Sequence, residues 1–128
     1  MSKTAKIGLV IYPEMTPLDI MGPHAVLCWA GEAQFVAETM DPVTTERGPL
    51  ISPHLTFDEA PQFDVLVVPG GPGQDPQMNN PAMIAFLRKQ AKGAQWVTSV
   101  CTGALLLAKA GLLNGLPAVT HWMAMGEL

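Results

Sequence analysis

Ser99-Val100-Cys101-Thr102-Gly103 is the stretch that decides how this chain is read. An apolar run, Trp96-Val97-Thr98-Ser99-Val100, stops at a cysteine and a helix-like segment follows at once. A strand that turns directly into a helix lifts the side chain at the turn out of the sheet and aims the free N–H groups of the new helix towards it. Those donors and the helix dipole favour thiolate over thiol, and the thiolate is the nucleophile. In the serine form of this turn, G-x-S-x-G, the N–H after the nucleophile helps to hold an oxyanion. Here the nucleophile, the spacing and the second glycine are kept, while Ser99 replaces the first glycine. Cysteine is also a common small apolar filler of cores, so the pattern alone leaves Cys101 between a reactive and a packed role.

Working outward, residues 7–12, 65–68 and 96–100 are continuous rather than alternating apolar runs, as parallel strands covered on both faces require. Asn80-Pro81 followed by Met83, Ile84, Phe86, Leu87 and Gln90, with Gly93 beyond, spells a helix with a cap, a first-turn proline and a glycine stop. Residues 104–110 are apolar on nearly every face, which predicts a buried helix. Shorter strands are expected near 34–39 and 118–121, and 44–57 reads as an extended excursion or hairpin. Strands alternating with helices of these lengths imply an α/β fold: an open parallel sheet with right-handed crossovers and ligands at the carboxyl ends of its strands. Cys101 sits at one such end. No repeat, low-complexity tract or linker interrupts the pattern.

A chain of 128 residues predicts one domain, residues 1–128, with enough length for a sizeable core. Its 48% hydrophobic and 14% charged residues suit a sheet buried on both faces. Seven basic residues against eleven acidic ones give a net charge of −4, with no basic stripe to neutralise a phosphate backbone, so nucleic acid is not an expected partner. The N-terminus leads into a strand rather than a signal-peptide core, and no apolar run reaches the length of a membrane span, so the expected setting is cytoplasmic, without a membrane. Cys28 and Cys101 form neither a disulfide framework nor a zinc pattern, and both suit a reducing compartment. Cys28, in a helix-like segment, reads as a packed core or interface residue.

Two more strand ends carry candidate chemistry. After 65–68 comes Pro69-Gly70-Gly71-Pro72-Gly73, either a tight turn or a backbone able to approach a ligand. It lacks the G-x-G-x-x-G spacing, and no helix is expected to open directly after it. If this turn neighbours Cys101, its N–H groups complete an oxyanion site with that of Thr102. After 7–12 comes Thr16-Pro17-Leu18-Asp19, in which Thr16 reads as a helix cap and Asp19 as its capping-box partner. The alternative is that Asp19 aims its carboxylate at the thiol and handles protons. Gly22-Pro23 then disturbs the helix. His24 and His54 read as structural or solvated; His121, at the end of Val119-Thr120-His121, is either bonded within a polar loop or orients groups beside Cys101.

Together, Thr16-Pro17-Leu18-Asp19-Ile20-Met21-Gly22-Pro23, Val68-Pro69-Gly70-Gly71, Ser99-Val100-Cys101-Thr102-Gly103 and Thr120-His121-Trp122 resemble the DJ-1/PfpI superfamily over nearly the whole chain, and most resemble its isocyanide hydratase branch. The resemblance implies a flavodoxin-like sheet with helices on both faces, of the class I glutamine amidotransferase kind. It also implies a homodimer and a catalytic cysteine working without metal or organic cofactor. Protease-like members carry histidine after the cysteine, where this chain has Thr102, and many glyoxalase-type members place glutamate near the thiol, where it has Asp19. Family members continue beyond T-H-W with further strands and helices, so the chain, ending at Leu128, reads as truncated at its C-terminus relative to the family. A sheet lacking its last covering elements exposes apolar surface that invites association.

The expected reaction is hydration of a small-molecule isocyanide to an N-substituted formamide. Cys101 forms a thioimidate, Asp19 moves the proton, the N–H groups of Gly71, Gly70 and Thr102 hold charge or substrate, and His121 supports. The alternatives are glyoxalase or deglycase action on a small α-dicarbonyl, and a non-catalytic redox or ligand sensor of the same fold.

Overall fold

In the computed structural model, which describes residues 4–112, every pairing in the main sheet is parallel. The chain enters through β1 (Ala5–Val10), crosses over α1 (Leu18–Leu27) and returns as β2 (Gly31–Ala37). A short ribbon, β3 (Val43–Thr44) with β4 (Leu50–Ile51), pairs antiparallel apart from the sheet, and β5 (Leu55–Thr56) rejoins it at the β2 edge. The second half runs through β6 (Val65–Val68), α2 (Gln74–Met78), α3 (Pro81–Ala91), β7 (Trp96–Ser99) and α4 (Gly103–Lys109).

The strand order is β5-β2-β1-β6-β7 among the described residues. The chain steps from β1 to β2 in one direction and from β6 to β7 in the other, so right-handed crossovers place α1 and α3 on opposite faces. The order reverses between β1 and β6, and a crevice at that point is where such sheets bind ligands. Registers are regular: Leu9 lies opposite Phe35 on one side and Val67 on the other, and Val68 opposite Ser99. The fold is thus the flavodoxin-like α/β sheet the sequence implied.

The core follows from the apolar runs. Ile7, Leu9 and Val10 of β1 and Leu66, Val67 and Val68 of β6 are buried, as strands covered on both faces must be. Helix α3 begins as expected: the Asn80 side chain accepts the Ala82 N–H at 3.1 Å, Pro81 takes the first turn, and Met83, Phe86 and Leu87 turn inward. Phe86 stacks on Phe57 with ring centres 4.2 Å apart. Gln90 is a buried amide on the same face, accepting the Phe63 N–H at 2.9 Å and donating to the Pro61 carbonyl at 2.8 Å. It ties the loop before β6 to α3. Helix α4 is buried from Gly103 to Leu107, matching its all-round apolar sequence.

Several local expectations are corrected. Thr16 is not a side-chain cap: α1 begins after Pro17 without a side-chain cap bond, and the Thr16 hydroxyl donates instead to Glu46 Oε2 at 2.8 Å. The helix runs on through Pro23 rather than breaking there. A short helix, α2, does open directly after Gly73. Cys28 is exposed, outside the core of this chain. The excursion at 44–57 resolves into the β3–β4 ribbon and edge strand β5. His24 and His54 each stack with Phe35, at 5.0 and 5.4 Å, and His54 Nδ1 accepts the Phe35 N–H. Both are structural, as expected. The strand expected at 118–121, with His121, lies outside the described residues.

Candidate active site

The carboxyl ends of three adjacent strands, β1, β6 and β7, meet at the switch point and bring Asp19, Gly70, Gly71, Cys101 and Thr102 together. The elbow forms because β7 stops at Ser99, after which the Val100 N–H still bonds the Val68 carbonyl at 2.9 Å. The chain then reverses into α4, closed by the Gly103 N–H on the Val100 carbonyl at 3.0 Å. At the apex Cys101 takes φ of +54°, a left-handed backbone that L-residues other than glycine seldom adopt. Such strain costs on the order of 1–3 kcal/mol and persists where the surroundings enforce it, typically at functional positions. Cys101 is half-buried, neither packed away as filler nor fully open.

Asp19, in the first turn of α1, turns its carboxylate across to the neighbouring strand end, where Oδ2 accepts the Gly70 N–H at 3.3 Å. That takes it out of the capping box. The Gly71 N–H donates to Thr102 Oγ1 at 2.9 Å, so it fixes the residue after the nucleophile rather than pointing openly at a ligand. The Gly70 carbonyl accepts the Thr16 N–H at 2.9 Å. Gly71 holds φ of +122°, and a Cβ there would fall 2.4 Å from the Thr16 nitrogen, so only glycine suits the turn.

Sequence reasoning missed Tyr12. It is 2% exposed and its hydroxyl donates to the Pro69 carbonyl at 2.6 Å. Burial, then the charges on Asp19 and Cys101, push its phenol above the ordinary range. Those influences place Asp19 and Cys101 each within electrostatic reach of Tyr12. The signal was present: a tyrosine ending a buried strand needs a partner for its hydroxyl. Glu46 was also missed. It reaches the site from the tip of the β3–β4 ribbon, where its N–H bonds the Met15 carbonyl at 2.8 Å and its carboxylate takes the Thr16 hydroxyl.

A cleft of about 320 Å³ opens at the ends of β1 and β2, walled by Ile11, Ala37, Val43, Phe57 and Met83 with Glu38 and Asp41 at its lining. It touches Tyr12 but none of Asp19, Gly70, Gly71 or Cys101. The cleft is thus separate from the corner where those four residues meet. Among the described residues no three His, Cys, Asp or Glu side chains stand together as a metal site, and no helix is long and apolar enough to cross a membrane.

A doubly wound parallel sheet with a strained cysteine elbow and a carboxylate at its switch point defines a flavodoxin-like protein. Residues 5–128 match the DJ-1/PfpI family, and the chain belongs to it. It is similar to the isonitrile hydratase of Pseudomonas putida, 43% identical over 119 residues, which cover 91% of this chain and 52% of that protein. It is also similar to a deglycase of Pyrococcus horikoshii, 29% identical over 113 residues, covering 86% of this chain and 68% of the other. Among solved structures, a ThiJ/PfpI family protein from Pseudomonas syringae matches with a TM-score of 0.89 at 37% identity, over 94% of this chain and 51% of that one. The chain spans about half the length of the first and last of these relatives.

Proposed function

We propose that this domain hydrates an isocyanide to the N-substituted formamide through a covalent thioimidate on Cys101, with Asp19 carrying the protons. The observation that carries the reading is the meeting at one corner of the sheet of a cysteine held at positive φ and a carboxylate anchored by the Gly70 N–H. Its similarity to an isonitrile hydratase supports the choice of substrate class.

In this mechanism the thiol proton passes to Asp19 and the sulfur adds to the terminal isocyanide carbon. That carbon then takes the proton from Asp19, giving an N-substituted thioimidate. Water adds across the C=N bond, its hydroxyl to carbon and its proton, relayed by Asp19, to nitrogen. The C–S bond breaks as the hydroxyl becomes the formamide carbonyl and its proton returns through Asp19 to the sulfur. Isocyanide and water are consumed, formamide leaves, and the thiol is regenerated. Splitting the addition in two is the gain of covalent catalysis. Since the Gly71 N–H is engaged with Thr102 Oγ1, Gly71 acts by fixing Thr102, and the Thr102 N–H takes the developing charge. A well-aimed donor of this kind is worth about 3 kcal/mol.

The second reading, deglycase-like attack of the same thiolate on a small α-dicarbonyl, is favoured by the Pyrococcus relative. One preparation assayed with an aryl isocyanide and with methylglyoxal separates the two. Formamide production lost by more than about a thousandfold in Cys101→Ala supports hydration. Turnover of methylglyoxal alone, or formamide production unchanged in Cys101→Ala, overturns it.

The domain works as a cytoplasmic homodimer on this reading, without metal or organic cofactor. Helix α1 supports association: it buries Ile20 and leaves Leu18 76% and Val26 70% exposed, with Trp29 just beyond it at 90%.

A further inference from the structure

Two consecutive peptide units in the β6 turn are each gripped at both ends. The peptide joining Pro69 to Gly70 accepts from the Tyr12 hydroxyl at its carbonyl, 2.6 Å away, and donates to Asp19 Oδ2 from its N–H at 3.3 Å. The peptide joining Gly70 to Gly71 accepts from the Thr16 N–H at 2.9 Å and donates to Thr102 Oγ1 at 2.9 Å. A peptide is planar and stiff, so fixing its carbonyl fixes the direction of its N–H. A donor on the carbonyl also polarises the unit and strengthens the hydrogen bond made by its N–H.

We propose that Tyr12 is a positioning residue for the reaction: by holding the Pro69 carbonyl it aims the Gly70 N–H at Asp19 and so sets where the proton-carrying carboxylate stands. Its placement suits the task. Tyr12 is 2% exposed, so water does not compete for the carbonyl, and its ring is locked in the core at the end of β1. Burial first, and the neighbouring Asp19 and Cys101 second, push the phenol's pKa up, so that it remains a donor throughout the working range. Tyr12 acts through the peptide and not on the substrate. The turnover arm of the test below rests on the hydratase reading; the thiol-reactivity arm does not.

Tyr12→Phe removes the hydroxyl and keeps the ring. The expected result with an aryl isocyanide is a kcat lowered at least about tenfold with KM within about threefold of wild type, since a positioning residue acts on the step and not on binding. In parallel, iodoacetamide labelling of the Cys101 peptide, followed by mass spectrometry, is expected to slow at least about threefold, because Asp19 then receives the thiol proton less well. If wild type makes no formamide, the hydratase reading fails and the labelling arm still reports on Tyr12. Labelling and kcat both within about twofold of wild type overturn the proposal, as does a change in KM alone.

Tyr12 is the single tyrosine of the chain, which allows a second measurement should Tyr12→Phe not fold. Global replacement with 3-fluorotyrosine keeps the hydroxyl and makes it a stronger donor. The Gly70 amide proton is expected to shift in the NMR spectrum while that of Gly93, at the far end of α3, stays in place. A Gly70 resonance that does not move overturns the proposal.

Discussion

The α-carbon of Gly70 lies against the backbone nitrogen of Thr102: a methyl group on Gly70 would stand 2.5 Å from that nitrogen and 2.5 Å from the Thr102 hydroxyl oxygen. The β6 turn and the cysteine elbow are therefore in contact through backbone, with room for a hydrogen and nothing larger.

Gly70→Ala follows directly. The added carbon would also lie 2.9 Å from the Gly103 nitrogen, and two of its three neighbours are main-chain atoms that no rotamer change can clear. The elbow must shift, and a displacement of about 1 Å at a reacting group costs about a hundredfold in rate. We expect a folded protein, judged by circular dichroism, whose turnover of an aryl isocyanide falls by about that factor. Unchanged turnover would show that the elbow tolerates the displacement.

Asp19→Asn keeps the size of the side chain and removes its capacity to carry protons. The carbonyl of the new amide still accepts the Gly70 N–H that Asp19 Oδ2 accepts in the parent protein, so the turn keeps its bond. The expected outcome is a rate lowered about 10²- to 10⁴-fold, the usual worth of a general acid–base group, with little change in urea midpoint. A loss of stability with turnover intact would return Asp19 to a purely structural role.

The sheet was legible because its strands are buried on both faces, and continuous apolar runs such as Val65-Leu66-Val67-Val68 have few other readings. The Asn80-Pro81 helix start was legible because capping is local chemistry. The elbow and the carboxylate could be named for the same reason: each is a short motif at a strand end. Long-range choices were not legible. Thr16 and Asp19 have the spacing of a capping box, but each has a partner far along the chain, Glu46 for one and Gly70 for the other, and tertiary hydrogen bonds outcompeted the local ones. The same holds for Gly71, whose N–H looked available until the fold laid the Thr102 hydroxyl beside it. Helix α2 is too short to carry a periodic signal.

Gln90 offers a test of the core away from the site. Its side chain accepts the Phe63 N–H and donates to the Pro61 carbonyl, in a position 4% exposed. Gln90→Ala strands both groups with little water to replace the lost partner. Leaving buried polar groups unpaired costs about 1–3 kcal/mol each, so a fall of a few kcal/mol in unfolding free energy is expected from urea denaturation. A change below about 0.5 kcal/mol would show that water enters to satisfy them.

The phenol of Tyr12 sets the sign of the alkaline stability curve. Its pKa is raised on folding, first by burial and then by the charges of Asp19 and Cys101, from an ordinary value of 10.0. The folded protein therefore keeps a proton that the unfolded chain gives up above pH 10.0, and stability must fall as pH rises past that point. Below it the contribution is fully present. The slope for one such group is about 1.4 kcal/mol per pH unit. Urea midpoints compared on either side of that value are expected to drop in wild type by more than in Tyr12→Phe, which has no phenol to titrate. As Tyr12 is the chain's single tyrosine, the tyrosinate absorbance reads the group directly. That band should appear at its ordinary pH in urea and only at higher pH in the folded protein. Ionisation near the ordinary value in the folded state would mean that the hydroxyl is not held in the core against the Pro69 carbonyl.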